Sequence, residues 1–313
     1  MEGRMNALII PVYKNEDTIE ELTGAVRKIR RGTGGQFTAV FVVDGSPDKS
    51  YERLVKLLPK AGFKSRLITH SRNFGSFAAI RTGMELVEAE KYAVMAADLQ
   101  EPEELISGFF RGLKPNKADI LFGTRTGRND PFFSRLFSAV FWRFYRAFIV
   151  KDMPKGGVDV FGCVRKVRDY IVSFRESHSS LVGQLFWVGF KRGFVGYDRI
   201  ARKKGKSAWT FGKKFNYLLD SVFAVTDLPI KTFILIGSAG IVFSAVFAAV
   251  VVVSRLMGMI EVTGYTAIIV TLVFFSALNI LGLGIVGAYA HRAYENSKNR
   301  PLTIVVEDKK YGG

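Results

Sequence analysis

Two long stretches without a charged residue do most to limit what this chain can become. Thr232 to Ser254 is 23 residues with no Asp, Glu, Lys or Arg, and Val262 to Ala290 is another 29. As a helix, the shorter run reaches about 34 Å, enough for a hydrocarbon core of about 30 Å. A helix buried inside a water-soluble domain rarely needs so long an uncharged run. Two transmembrane helices are therefore expected. Only seven residues, Arg255 to Glu261, join them, so they form a hairpin and both flanks of the chain lie on one side of the bilayer.

The positive-inside rule chooses that side. Lys231 precedes the hairpin, and Arg292, Lys298, Arg300, Lys309 and Lys310 follow it, whereas the loop has Arg255 offset by Glu261. The expectation is a multi-pass protein of the inner (cytoplasmic) membrane, its large N-terminal part and its tail cytoplasmic. Met1 to Pro11 has no long apolar run before a cleavage site, so no signal peptide is expected.

The net charge of +17 could suit nucleic acid. Beside a membrane anchor it reads better as basic groups facing anionic headgroups and phosphorylated substrates, and no nucleic-acid partner is expected. The single cysteine, Cys163, leaves no intramolecular disulfide and no Cys-based zinc cluster.

Ahead of the apolar runs the pattern alternates. Asn6–Val12, Phe37–Val43, Arg66–Thr69, Tyr92–Ala97 and Asp119–Phe122 read as strands. Between them, Ile19, Leu22, Val26 and Ile29, then Leu54, Val55 and Leu58, a stretch from Phe77 to Glu88, and Leu105, Ile106, Phe109 and Phe110 read as helices. This rhythm argues an α/β domain with a mostly parallel sheet covered by helices. Such sheets bind ligands beyond the carboxyl ends of their strands, where Asp44 and Asp98 fall. Each could equally be a helix cap or turn residue. Their parallel placement suggests two carboxylates converging on one cleft.

Pro131 to Lys151 interleaves eight aromatic residues, Phe132 to Phe148, with Arg135, Arg143, Arg146 and Lys151, and has no acidic residue. An aromatic, basic helix of this kind fits the headgroup layer, although a core helix with solvated arginines would have the same composition. Trp209 to Pro229 is read as a second interfacial helix. The expected organisation is 1–130, the first part of the α/β domain; 131–230, a part with interfacial helices; 231–290, the hairpin; and 291–313, a cytoplasmic tail.

Seven motifs follow in order: Ile10-Pro11-Val12-Tyr13-Lys14-Asn15-Glu16, Val43-Asp44-Gly45-Ser46-Pro47-Asp48, Arg72-Asn73-Phe74-Gly75, Asp98-Leu99-Gln100-Glu101-Pro102, Gly123-Thr124-Arg125-Thr126-Gly127-Arg128, Asp159 with Gly162-Cys163, and Arg202 with Gly205-Lys206-Ser207-Ala208-Trp209. Tyr289, Arg292-Ala293-Tyr294 and Arg300-Pro301 come after the apolar runs. Together they resemble glycosyltransferase family 2, in its polyisoprenyl-phosphate branch. The resemblance implies an A-type, Rossmann-like fold, with 1–130 the nucleotide-sugar-binding part and 131–230 the acceptor-side part. It also implies inverting transfer of a sugar from a UDP- or GDP-linked donor to a polyisoprenyl (undecaprenyl or dolichyl) phosphate at the lipid bilayer. It assigns Pro11, Tyr13, Glu16, Asp44, Asn73, Gly75 and Asp98 to the nucleotide-sugar, and Asp98 and Asp159 to catalysis. Arg125, Arg128, Arg202 and Ser207 go to the acceptor phosphate, and Asp98 and Gln100 to Mg²⁺ or Mn²⁺. A homo-oligomer is compatible with all of this.

The chemistry agrees. A hard divalent cation with oxygen ligands neutralises a diphosphate leaving group. Asp44 would accept hydrogen bonds from base or ribose. The acceptor phosphate arrives anionic, so cationic clamps matter more than a side-chain base, and no His/Asp dyad is apparent around His70, His178 or His291. Two positions depart from the family pattern: Val43 and Ala96 stand where aspartates are usual. They keep open a catalytically weak membrane scaffold. A processive polysaccharide synthase fits less well, because Gln184-Leu185-Phe186-Trp187 lacks the arginine of that group's motif.

Overall fold

The structure, a computed structural model, describes residues 5–33, 36–126, 143, 146–147, 152–154, 157–158, 160–176, 180–200, 228–258 and 264–312. The chain divides into two compact units: Met1–Tyr217 together with Arg300–Gly313, and Leu218–Asn299.

The first unit is built on one eight-stranded sheet. Its strands are β1 (Met5–Val12), β2 (Gln36–Val43), β3 (Lys64–His70), β4 (Lys91–Val94), β5 (Ile120–Arg125), β6 (Phe161–Val164), β7 (Arg192–Tyr197) and β8 (Val305–Tyr311). Its helices are α1 (Ile19–Thr33), α2 (Ser50–Leu57), α3 (Ser76–Leu86), α4 (Glu103–Gly112), α5 (Arg165–Ser173) and α6 (Leu181–Trp187). The strand order is β7-β5-β6-β4-β1-β2-β3-β8. β1 pairs in parallel with β2 and β4, β2 with β3, and β5 with β7. β6 runs antiparallel to β4 and β5, and β8 antiparallel to β3. The five strands expected from the apolar runs are present. The sheet as a whole is mixed, because two of the three further strands, β6 and β8, bring in its antiparallel pairs, while β7 adds in parallel to β5.

Burial follows the two-residue period of a strand covered on both faces. On β1, Leu8, Ile10 and Val12 join Leu22, Val26 and Ile29 of α1 and Ile106 and Phe109 of α4 in one core. Ala7 and Ile9 face the opposite way, to Ala79, Ile80 and Met84 of α3 and Val167 and Ile171 of α5. β2 splits likewise, with Phe41 in the first core and Val40 and Val42 in the second. Truncating such a side chain costs about 2–5 kcal/mol.

Residues 291–313 were expected to be a tail. From Arg300 onward they belong instead to the first unit. β8 zips along β3 from Ser65↔Tyr311 to His70↔Val305, and Arg66 Nε donates to Asp308 Oδ1 at 2.7 Å. Its charged residues Glu307, Asp308, Lys309 and Lys310 lie on an exposed edge, a device that discourages pairing with further strands.

The second unit contains α7 (Leu228–Leu256, 29 residues) and α8 (Tyr265–Ser297, 33 residues). Phe233 of α7 lies over Gly282 of α8, and Phe275 of α8 over Gly240 of α7. Seven residues forward on one helix are matched by seven back on the other, so the helices are antiparallel. Away from that seam large apolar groups face outward: Leu235 is 70% exposed, Ile280 70% and Leu283 71%. Among the described residues, one helical segment, Phe274–Ser297, is long and apolar enough to cross a membrane by length and composition.

Candidate active site

β1 has β2 on one side and β4 on the other, so the chain reverses its direction of winding between β1 and β4. The carboxyl ends of these two strands therefore open a crevice. Beside it the Thr18 hydroxyl shares its one proton between Ala97 O at 3.0 Å and Asn15 O at 3.1 Å, tying the loop after β1 to the segment after β4. Asp98 follows β4 at this point and is half-buried. Backbone strain gathers along the same edge. Lys14 and Leu99 adopt φ of 55° and 57°, a left-handed conformation uncommon for residues other than glycine.

The loop after β1 is stitched to the turn after β2. Lys14 N donates to Ser46 Oγ at 2.7 Å, Asn15 N to Ser50 Oγ at 3.1 Å, and Lys49 N to Glu16 Oε2 at 3.0 Å. Asp48 sits at the centre, accepting from Ser46 Oγ at 2.6 Å, Ser50 Oγ at 2.9 Å and Glu16 N at 3.0 Å. Burial works against its charge. The hydroxyls of Ser46 and Ser50 and the amides of Glu16 and Ser50 outweigh burial and hold its carboxyl below the ordinary 3.8. Glu16, expected to touch the nucleotide-sugar, here receives the Lys49 amide. Pro11, the last residue but one of β1, lies opposite Val42, and Tyr13 N donates to Asn15 Oδ1 at 3.0 Å.

Asp44 has a different surrounding from the one expected. It is 2% exposed. Oδ1 accepts from Phe74 N at 2.9 Å and pairs with His70 Nδ1 at 2.8 Å, while Oδ2 accepts from Gly75 N at 2.7 Å. Both oxygens are thus engaged inside the protein. Asp44 holds the Arg72–Gly75 turn at the start of α3, where a carboxylate also meets the positive end of the helix. Direct acceptance from base or ribose would need these bonds to be exchanged. The His/Asp pair not apparent from the sequence is present, formed by Asp44 and His70. Gly45 makes the approach of the two turns feasible: a Cβ there would lie 2.3 Å from the Arg72 carbonyl carbon, and its φ is +56°. The outcome is a presented turn. Asn73 is exposed, and the Arg72 guanidinium stacks 4.1 Å from the centre of the Phe74 ring.

Gln100 also departs from expectation. Its Oε1 accepts from Arg199 Nη2, and its carbonyl accepts from Ile200 N at 3.0 Å. A strap from β7 therefore lies along the Asp98–Gln100 turn, and Arg199 holds the amide oxygen expected to face a metal. Arg125, at the end of β5, lies in register with Tyr197 at the end of β7, so this edge brings Arg125 towards the strap. Sequence reading had not singled out Arg199. It stands three residues before Arg202 in a basic run, which was the available signal. Arg128, Asp159, Arg202 and Ser207 lie outside the described residues, as do most of the two stretches read as interfacial helices.

For a divalent cation the donor chemistry fits in part. Asp98 offers a hard carboxylate oxygen and Gln100 a second oxygen once Arg199 moves away, while Ala96 offers none. Among the described residues, no group of three or more His, Cys, Asp or Glu side chains is placed to hold a metal.

Residues 7–178, more than half of the chain, match the family model described as Glycosyl transferase family 2. The chain belongs to that family. This glycosyltransferase is 31% identical to the uncharacterized glycosyltransferase YkcC of Bacillus subtilis, over 98% of this chain and 94% of that one. It is 29% identical to the putative glycosyltransferase CsbB of the same organism, over 98% and 93%. It is 25% identical to the bactoprenol glucosyl transferase of Shigella phage SfV, over 97% and 99%. The family 2 membership accounts for a sheet whose loops meet at a β1/β4 crevice with Asp98 at its mouth.

Proposed function

We propose that this family 2 enzyme transfers a sugar from a nucleotide-sugar to a polyisoprenyl phosphate at the cytoplasmic face of a membrane. The observation that carries the acceptor is the reach of the similarity. The relative named for bactoprenol aligns over 99% of its length, so the likeness continues past the sheet and through both long helices. The outward Leu235, Ile280 and Leu283 support the same reading, since contiguous exposed apolar surface seeks lipid or a partner. In this reading α7 and α8 form the transmembrane hairpin, and the parts before and after it lie in the cytoplasm, where nucleotide-sugars are made.

The nucleotide-sugar would enter the β1/β4 crevice between the Tyr13–Glu16 loop and the Asn73–Gly75 turn. Asp98 would hold Mg²⁺ or Mn²⁺, with Gln100 as a second oxygen donor. When bound, the cation neutralises charge on the departing diphosphate. Arg125, Arg128 and Arg202, with Ser207, would clamp the acceptor phosphate, because guanidinium groups match its geometry. Asp159 would orient an arginine or the sugar. The phosphate oxygen attacks the anomeric carbon as the nucleoside diphosphate leaves, inverting the configuration.

One experiment tests this. Purified protein is incubated with undecaprenyl phosphate and a panel of UDP- and GDP-sugars, and the lipids are read by mass spectrometry. A polyisoprenyl-phosphate sugar from at least one donor is expected, and none from any donor overturns the proposal. The grip of Arg199 on Gln100, beside Ala96, favours a second reading, a scaffold with weak catalysis. Such a protein would bind the panel without product and without response to Mn²⁺.

A further inference from the structure

Between the Asn73–Gly75 turn and the far end of the chain runs a continuous line of polar side chains through an otherwise apolar region. Thr303 Oγ1 lies 2.9 Å from Thr82 Oγ1, Thr82 Oγ1 lies 3.0 Å from His70 Nε2, and His70 Nδ1 lies 2.8 Å from Asp44 Oδ1. Asp44 then accepts from Phe74 N and Gly75 N. Thr82 is 3% exposed, and His70 and Asp44 are each 2% exposed. A buried polar group left unmatched is costly, so every member constrains the next.

The direction of the bonds follows from the inventory of donors. A carboxylate only accepts, so the proton on the imidazole sits at Nδ1. With the ring carrying that one proton, Nε2 needs a donor, and the Thr82 hydroxyl is in reach. Thr82 has a single proton and a second acceptor nearby, Ala78 O at 3.1 Å. Its oxygen can receive the Thr303 hydroxyl proton, and a hydroxyl that accepts a hydrogen bond becomes a stronger donor. On the other side of the turn, Ser71 N donates to Ile304 O at 3.0 Å.

We infer that Thr303 is a positioning residue of the nucleotide-sugar site, acting through Thr82 and His70 on Asp44 to set the Asn73–Gly75 turn. The role rests on the proposed use of that turn for the donor. It does not touch substrate. Nor is it needed to dock β8, which keeps its ladder to β3 and the Arg66–Asp308 pair without it. A segment that follows α8 thereby completes a site whose other parts lie within the first 100 residues.

The test compares full-length Thr303→Val, Thr303→Ser and Asp308→Asn. Hydrogen exchange, measured without substrate, follows the Phe74 and Gly75 amides. Steady-state kinetics use whichever UDP- or GDP-sugar the wild type turns over. Thr303→Val is expected to speed exchange at these amides and to raise the donor KM, each by about three- to tenfold, the usual weight of one internal hydrogen bond. Its kcat and acceptor KM stay within about twofold, as only donor positioning changes. Thr303→Ser restores both readouts, and Asp308→Asn, which loosens β8 elsewhere, leaves both at the wild-type level. Unchanged exchange in Thr303→Val, or the same change in Asp308→Asn, overturns the inference. If Thr303→Val does not fold, Thr82→Val interrupts the same line from α3, and unaltered exchange there overturns it equally. A wild type that transfers no sugar defeats the proposed function, while exchange alone still decides whether Thr303 sets the Asn73–Gly75 turn.

Discussion

Phe233 occupies the space that a side chain at Gly282 would need: a Cβ there would lie 2.1 Å from the tip of the ring. Small residues under a large neighbour are how apolar helices come close where no hydrophobic drive exists between them. Gly282→Ala is therefore expected to push α7 and α8 apart and to destabilise the pair by about 1–3 kcal/mol, the usual cost of overpacking. Phe233→Ala in the same chain should recover most of that loss. Thermal unfolding in detergent, run as a double-mutant cycle, measures both, and additive losses would show that the two positions do not oppose each other.

The Arg199–Gln100 pair makes a prediction about metal. If the cation must take the amide oxygen from Arg199, then Arg199→Ala lowers the Mn²⁺ concentration for half-maximal activity. Gln100→Ala raises it by about 10- to 100-fold, a range typical for groups that support a metal site. Asp98→Ala abolishes transfer. Titration of Mn²⁺ after EDTA treatment gives all three. An unchanged Mn²⁺ requirement in Arg199→Ala would mean the strap does not compete with metal.

Asp48 gives a pH signature. Its folded carboxyl lies below the ordinary 3.8, so the charged form is the one that folding favours. The stability it adds is fully present above the ordinary Asp range and is lost as the pH falls through the folded value. Asp48→Asn should accordingly be less stable than wild type at pH 7, with the difference closing below about pH 4. Chemical denaturation at several pH values checks this, and a gap independent of pH would assign the loss to shape rather than charge.

Topology is open to a labelling test. Met257→Cys, just after α7, should react with an impermeant maleimide added outside intact cells, and Ser297→Cys, at the end of α8, should react only after lysis. Cys163 is fully buried, and burial pushes its thiol pKa up, so background labelling stays low. The opposite pattern would place the crevice away from cytoplasmic nucleotide-sugars.

What could be read from the sequence tracks what burial imprints on it. β1 and β2 are apolar on both faces and end at residues with a clear change of character, so they and the crevice edge were legible. β6 is four residues long, and β7 and β8 mix charge with apolar groups because much of each faces solvent, so they carry no such imprint. These three strands were hidden for that reason, and with β6 and β8 went every antiparallel pair of the sheet. Asp44 and His70 are 26 residues apart, and Gln100 and Arg199 are 99 apart. Such pairings come from the order of strands in space, which no local spacing encodes. The motif that named Asp44 located the turn, and the structure adds that this carboxylate anchors Phe74, Gly75 and His70.

The place of β8 also bears on how the protein is made. Of the eight strands it is the last to leave the ribosome, after both long helices. Until it arrives, β3 has an open edge and Thr82 lacks its Thr303 neighbour. Synthesis interrupted between α8 and Arg300 would release a polypeptide with a nearly complete sheet and an unprotected strand ready to pair with other chains. Closing the β3 edge is thus deferred until translation has passed the hydrophobic segments, and a chain cut short there keeps that edge bare.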